Sequence, residues 1–219
     1  MTMTTTTTLL PLRQQPRFMA LLLGGFALLV CGSVAISSRL TAPQILLRQQ
    51  EDTQRLLTQV LPNSMYDNMP SQDEVTLTLD GQPVHFFRAR QGDKVSAIAL
   101  FARSRGYGGD IQMLLGIDAQ GTLTGVRVIS HTETPGLGDK IETAKGDWIL
   151  GFDGLSLHKP DDKGWHVKKD GGHFDSFTGA TITPRAVVKG VHESLQLFAR
   201  HSAQLLDQSP TGSPSTDKE

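Results

Sequence analysis

The run Asp175-Ser176-Phe177-Thr178-Gly179-Ala180-Thr181-Ile182-Thr183-Pro184 carries the sharpest chemical suggestion in the chain. It sets one hydroxyl, that of Thr181, among small residues just ahead of a predicted helix. Thr183 is a favourable N-cap and Pro184 suits the first helical position. Val187, Val191, Leu195 and Phe198 then recur at helical spacing. Free backbone N–H groups and the macrodipole at such a start favour an anion such as a phosphate. Gly179 and Ala180 leave room for a bulky group on the Thr181 oxygen. Read alone, such residue types before a helix more often form just a capped turn without a ligand.

Other chemistry-bearing residues fall in predicted loops. His131-Thr132-Glu133-Thr134-Pro135-Gly136-Leu137-Gly138-Asp139-Lys140 follows a predicted strand, where loops often carry function. Its Pro-Gly centre predicts a tight turn, either touching a ligand or simply solvated. Gly106-Tyr107-Gly108-Gly109 reads as a turn between strands, with Tyr107 stacking on a ring as the second reading. Lys168, Lys169 and Arg185 flank the Thr181 segment and suit a phosphate; a solvated basic cluster is the alternative. The histidines His131, His158, His166 and His173 follow no zinc spacing. A hydrolase pairing Thr181 with His131 needs a geometry that spacing cannot supply. No Gly-x-Gly-x-x-Gly follows a strand, so NADH is not expected to bind here.

The chain has 219 residues, a net charge of −1 and one cysteine, Cys31. That charge gives no bulk attraction for nucleic acid. A single cysteine excludes an intramolecular disulfide, a Cys-x-x-Cys redox pair and a cysteine cage for iron–sulfur or zinc. If the protein handles electrons, a bound cofactor must carry them.

These groups need elements to hold them. Residues 1–17 read as a low-complexity tail and 18–38 as a transmembrane helix; 39–207 form one exported domain and 208–219 a disordered tail. From Phe18 to Ile36 the chain is uncharged, and that run as a helix spans about 28 Å, close to a bilayer's hydrocarbon core. Arg13 and Arg17 place the N-terminus in the cytoplasm. A cleaved signal peptide ending near Ser33-Val34-Ala35 is the rival. Thr41-Ala42-Pro43 predicts a break, followed by an amphipathic helix over 44–61. Strands are expected at 74–79 and 83–90 around Asp80-Gly81, at 95–103, 111–117, 122–129 and, briefly, 165–168. A short helix at 147–152 and a long one from Pro184 to about Leu206 complete the set. The fold class is α+β: an antiparallel sheet with helices packed on one side, preceded by one N-terminal transmembrane helix.

Asp175-x-x-Thr178-Gly179-Ala180-Thr181 resembles the flavinylation motif of the FMN-binding domain in Rnf- and Nqr-type ion-translocating electron transport complexes. The His131–Lys140 run and Gly106-Tyr107-Gly108-Gly109-Asp110-Ile111 are similar to two further motifs of that domain. With the anchor and the length, the chain looks like a member of the RnfG (RsxG) family, the G subunits of Rnf-type complexes. The resemblance implies FMN on Thr181 through a phosphoester, placed by Thr178, Gly179 and Ala180. It implies a turn of Thr134, Pro135, Gly136 and Leu137 against the flavin, with His131, Glu133 and Lys168 at polar edges. It also implies an exported flavin transferase using FAD and a metal, which recognises Asp175 and Thr178. The setting implied is the bacterial inner membrane, with the domain in the periplasm beside the other Rnf subunits, relaying electrons coupled to ion movement. The corresponding subunit of a sodium-pumping quinone reductase is one alternative; those chains tend to carry extra N-terminal sequence. A non-redox anchored binding or scaffold module, with Thr181 as a cap, is the other.

Overall fold

The computed structural model describes residues 16–207, so the tail expected at 208–219 and all but Pro16 and Arg17 of the tail expected at 1–17 lie outside the described residues; those two residues already belong to a helix. The chain divides between Gln49 and Gln50 into two units. In the first, helix α1 (Pro16–Val60) begins. Its stretch Met19–Arg39 is long and apolar enough to cross a membrane, with a mean hydropathy of 2.4. No break occurs at Thr41–Pro43. An interior proline removes one backbone bond without having to end a helix, and the residues after it continue the spiral.

In the second unit, alternating apolar and polar residues build a five-stranded antiparallel meander. It consists of β1 (Glu74–Leu79), β2 (Gln82–Gln91), β3 (Lys94–Arg105), β4 (Asp110–Asp118) and β5 (Leu123–Ser130), neighbouring in sequence order. Asp80 (φ 50°) and Gly81 (φ 76°) are both left-handed, as a two-residue hairpin turn requires. One face, carrying Phe86, Ile98, Leu100, Met113, Leu115 and Val126, packs on Val187, Val191, Leu195 and Phe198 of helix α2 (Ile182–Leu205). Gly190 makes that contact possible: a Cβ there would sit 2.7 Å from Met113 Cε. At the other end of α2, Arg88 Nε reaches the carbonyl of Leu205 at 3.3 Å, a cation against the negative pole of the helix.

The antiparallel sheet with a helix on one face is the α+β class expected, and the structure adds cover on the second face. Leu57, Val60 and Leu61, at the end of α1 and just beyond it, pack there on Phe87, Ala89, Ala97, Ala99 and Leu114. Two local expectations change. The helix at 147–152 is a 3-10 turn, Trp148–Phe152, with Ile149 and Phe152 buried. The strand at 165–168 shrinks to one bridge between Val167 and Phe174, because Lys168–Asp170 winds into a 3-10 turn closed by left-handed Gly171.

His192 on α2 stacks on Trp165, with centroids 5.3 Å apart, and its Nε2 lies 3.3 Å from Asp162 Oδ1. Burial pushes its pKa below the ordinary value of about 6.5; Asp162 and Glu193 pull it back up, while His166 adds to the lowering. As pH falls through about 6.5 the unfolded chain takes the proton first, so folding loses stability until the folded pKa is passed. The urea midpoint should therefore drop between pH 7.5 and 5.5, and His192→Phe should flatten that drop. An identical pH slope in the variant would refute the assignment.

Candidate functional site

Helix α2 starts two residues, about half a turn, earlier than its sequence signals suggest. Thr181 holds the N-cap place in helical geometry (φ −75°, ψ −26°) and its hydroxyl makes no capping bond. Thr183, the expected cap, is buried inside the first turn and spends its hydroxyl on Glu133 Oε2 in a short bond. Pro184 still sits where an N–H would lack an intrahelical partner. Ahead of the helix, a tight turn joins Ala180 N–H to the Phe177 carbonyl at 3.1 Å, with Gly179 at φ +82°, a conformation that favours glycine. The segment before it is pinned: Phe177 packs edge-on to Trp148 at 5.1 Å, and Trp148 Nε1 donates to the Asp175 carbonyl at 2.9 Å.

Thr181 borders a cavity of about 580 Å³. Its walls come from the Gly106–Gly109 turn, the 131–138 loop, Lys169 and residues 179–183. Tyr107 (70 % exposed), Leu137 (42 %) and Ile182 (46 %) present large apolar surfaces at this one place. A larger groove, about 790 Å³, lies between α2 and strands β2 and β3 and contains none of the predicted site residues.

The structure brings together Thr181, Gly179, Ala180, Glu133, Thr134 and Leu137 around the cavity. Thr134 closes its loop by accepting from the N–H groups of Leu137 (3.1 Å) and Gly138 (3.0 Å). Gly136 supplies the turn at φ +79°, and Thr178 is exposed on the turn before Gly179. Lys168 bonds Asp175 at 2.7 Å, and Arg185 forms a two-pronged pair with Asp170 at 2.6 Å. That pairing holds the Asp170 carboxyl below the usual range and raises the guanidinium. Lys169, not Lys168, lines the cavity. His131 borders a smaller neighbouring cavity, with Nε2 2.7 Å from Glu142 Oε1 and Nδ1 accepting from Glu133 N–H at 3.1 Å. Lys169 was one of three basic candidates in the sequence, and spacing alone could not choose it over Lys168 or Arg185. Ile182 reads in sequence as one more helical residue.

The donor set suits a flavin mononucleotide. Thr181 offers an oxygen with no capping duty, at a helix N-terminus that favours a phosphate. The cavity is within the range of small-molecule sites, about 300–1,000 Å³, and its apolar walls suit a planar aromatic ring. Residues 106–196 match the FMN-binding domain, and residues 17–60 match the RnfG N-terminal region. Fold, cavity and match together define the class: an FMN-binding domain preceded by an apolar helix. The G subunit of the ion-translocating oxidoreductase complex of Cereibacter sphaeroides is 48 % identical over 90 % of this chain and 91 % of its own. Its Pseudomonas aeruginosa counterpart is 50 % identical over 85 % of this chain and 90 % of its own. The chain belongs to this family, the G subunits of ion-translocating oxidoreductase complexes. In fold it is similar to the C subunit of the Na(+)-translocating NADH-quinone reductase from Parabacteroides distasonis. That likeness has a TM-score of 0.51 at 16 % identity, over 70 % of this chain and 92 % of the other.

Proposed function

We propose that this chain is the flavin-bearing subunit of a membrane electron-transport complex, with FMN held by a phosphodiester to Thr181 Oγ1. The observation that carries the reading is the uncommitted Thr181 hydroxyl at the start of α2, on the border of the cavity walled by Tyr107, Leu137 and Ile182. When bound, FMN supplies reversible electron uptake. The chain's own residues hold and place it. Thr181 Oγ1 forms the bond to phosphorus while the pyrophosphate of FAD breaks; AMP leaves and the hydroxyl proton goes to solvent. A separate transferase is needed for this step, because an unaided threonine is a weak nucleophile. Asp175 and Thr178, both exposed, are available for it to read.

The first turn of α2 steadies the phosphate by about 0.3–1 kcal/mol, too little to retain a flavin. The covalent bond retains it, and Lys169 adds positive charge at the polar side. Tyr107, Leu137 and Ile182 would offer the ring apolar contact. Arg13 and Arg17 ahead of the Met19–Arg39 span favour a cytoplasmic N-terminus and a periplasmic domain at the bacterial inner membrane. There the flavin would pass electrons among the other Rnf subunits, coupled to ion movement. To test the reading, the full chain is co-expressed with a flavin transferase, its intact mass is measured and the modified peptide is mapped. FMN on the peptide containing Thr181 is expected; an unmodified peptide would sink the proposal.

A further inference from the structure

Glu133 stands where three segments remote in sequence meet. Its side chain is buried, only 5 % exposed. Oε1 accepts from Gly108 N–H at 3.0 Å, and Oε2 accepts the short bond from the Thr183 hydroxyl. A socket is cut for it. A Cβ at Gly106 would fall 2.3 Å from Oε1, and one at Gly138 would lie 2.8 Å from Glu133 Cβ and 2.9 Å from Thr183 Oγ1. Each tied segment carries a cavity wall: Gly108 follows Tyr107, Glu133 leads the loop to Leu137, and Thr183 stands two residues after Thr181. Both donors to the carboxylate are neutral, so neither cancels its charge.

We propose that Glu133 is the positioning residue of the flavin site. One carboxylate sets the spacing of the three walls, orients the turn that presents Thr181, and stands as a fixed negative charge beside the cavity. This rests on the reading that Thr181 carries FMN. A buried bond with both partners satisfied resists movement, because separating it strands a buried acceptor. Held in the protein interior, that charge is screened less than one on the surface, so it opposes reduction, which adds negative charge to the flavin.

Two conservative variants separate the two effects. In Glu133→Gln the amide oxygen can accept from Gly108, and the amide nitrogen can donate to Thr183 once that hydroxyl turns. The bonds stay and the charge goes. In Thr183→Val one bond goes and the charge stays. Full-length chains co-expressed with the transferase are read for flavin occupancy over time, for midpoint potential, and for amide hydrogen exchange in detergent. Glu133→Gln should load faster than Thr183→Val and show a more positive potential than wild type. Thr183→Val should load several-fold more slowly, keep the wild-type potential, and exchange the Gly108 and Ala180 amides several-fold faster. A wild-type potential in Glu133→Gln, or wild-type loading and exchange in Thr183→Val, would overturn the proposal. Should the wild-type chain carry no flavin at residue 181, the FMN reading falls alone. The exchange comparison then decides the clamp: faster exchange in Thr183→Val sustains it, and unchanged exchange overturns it.

Discussion

Replacing Thr181 by alanine should yield a folded, colourless protein with no covalent flavin. Loss of attachment should be complete, because the oxygen that would carry the phosphorus is gone. Folding should barely change. A threonine that caps a helix contributes about 0.5–2 kcal/mol, but this hydroxyl makes no capping bond, so that contribution is not at risk. The unfolding free energy is expected to change by less than about 0.5 kcal/mol. Thr181→Ser keeps the oxygen and should still load. Thr178→Ala touches an exposed side chain on the preceding turn, and should slow loading only if the transferase reads it. In-gel flavin fluorescence together with intact mass settles all three. A Thr181→Ala protein that stays yellow through denaturation would move the attachment elsewhere. One that unfolds would mean that Thr181 is structural.

Much of this architecture was legible from local signals. The Glu74–Leu79 strand, the Asp80-Gly81 turn and the β4–β5 hairpin follow from alternation and turn chemistry, which depend on neighbours a few residues away. The helix after Thr181 was legible in the same way. Its true start was not, because the fate of Thr183 is decided by Glu133, 50 residues earlier. The cavity shares that limit. Tyr107, Leu137, Lys169 and Ile182 come from four separate segments, and only the folded sheet brings them together. His131 and Glu133 lie two residues apart on one loop, yet His131 turns to Glu142 while Glu133 turns to Gly108 and Thr183. The partners waiting for each are tertiary facts, set by segments that no local pattern brings near. At Val167 the failure is different. The alternation of Trp165 and Val167 with polar neighbours promised a strand, and Gly171, free to adopt a left-handed turn, curtailed it.

On the sheet face that receives the end of α1, Gly116→Ala should cost about 2–4 kcal/mol, a large share of a domain's stability. Gly116 pairs across β4 and β5 with Gly125, leaving a flat, side-chain-free spot. The last turn of α1 lies on it. A Cβ at residue 116 would stand 2.2 Å from the Val60 carbonyl oxygen and 2.3 Å from Thr124 Oγ1. Those two atoms are themselves bonded at 2.5 Å. The Val60 oxygen belongs to the backbone and cannot swing aside, so the methyl must push that backbone away. That breaks the Thr124 bond and loosens Leu57 and Leu61 from Phe87 and Leu114. At about 2–4 °C per kcal/mol for a chain of this size, the melting temperature should fall by roughly 10 °C. Thr124→Val, which removes the bond without adding bulk at residue 116, should cost only about 1 kcal/mol. Flavin on Thr181 should survive below the melting transition, because α2 packs on the opposite face of the sheet. Calorimetry of the full chain in detergent measures both variants. If Gly116→Ala melts with the wild type, the close seat of Val60 on the glycine pair is wrong.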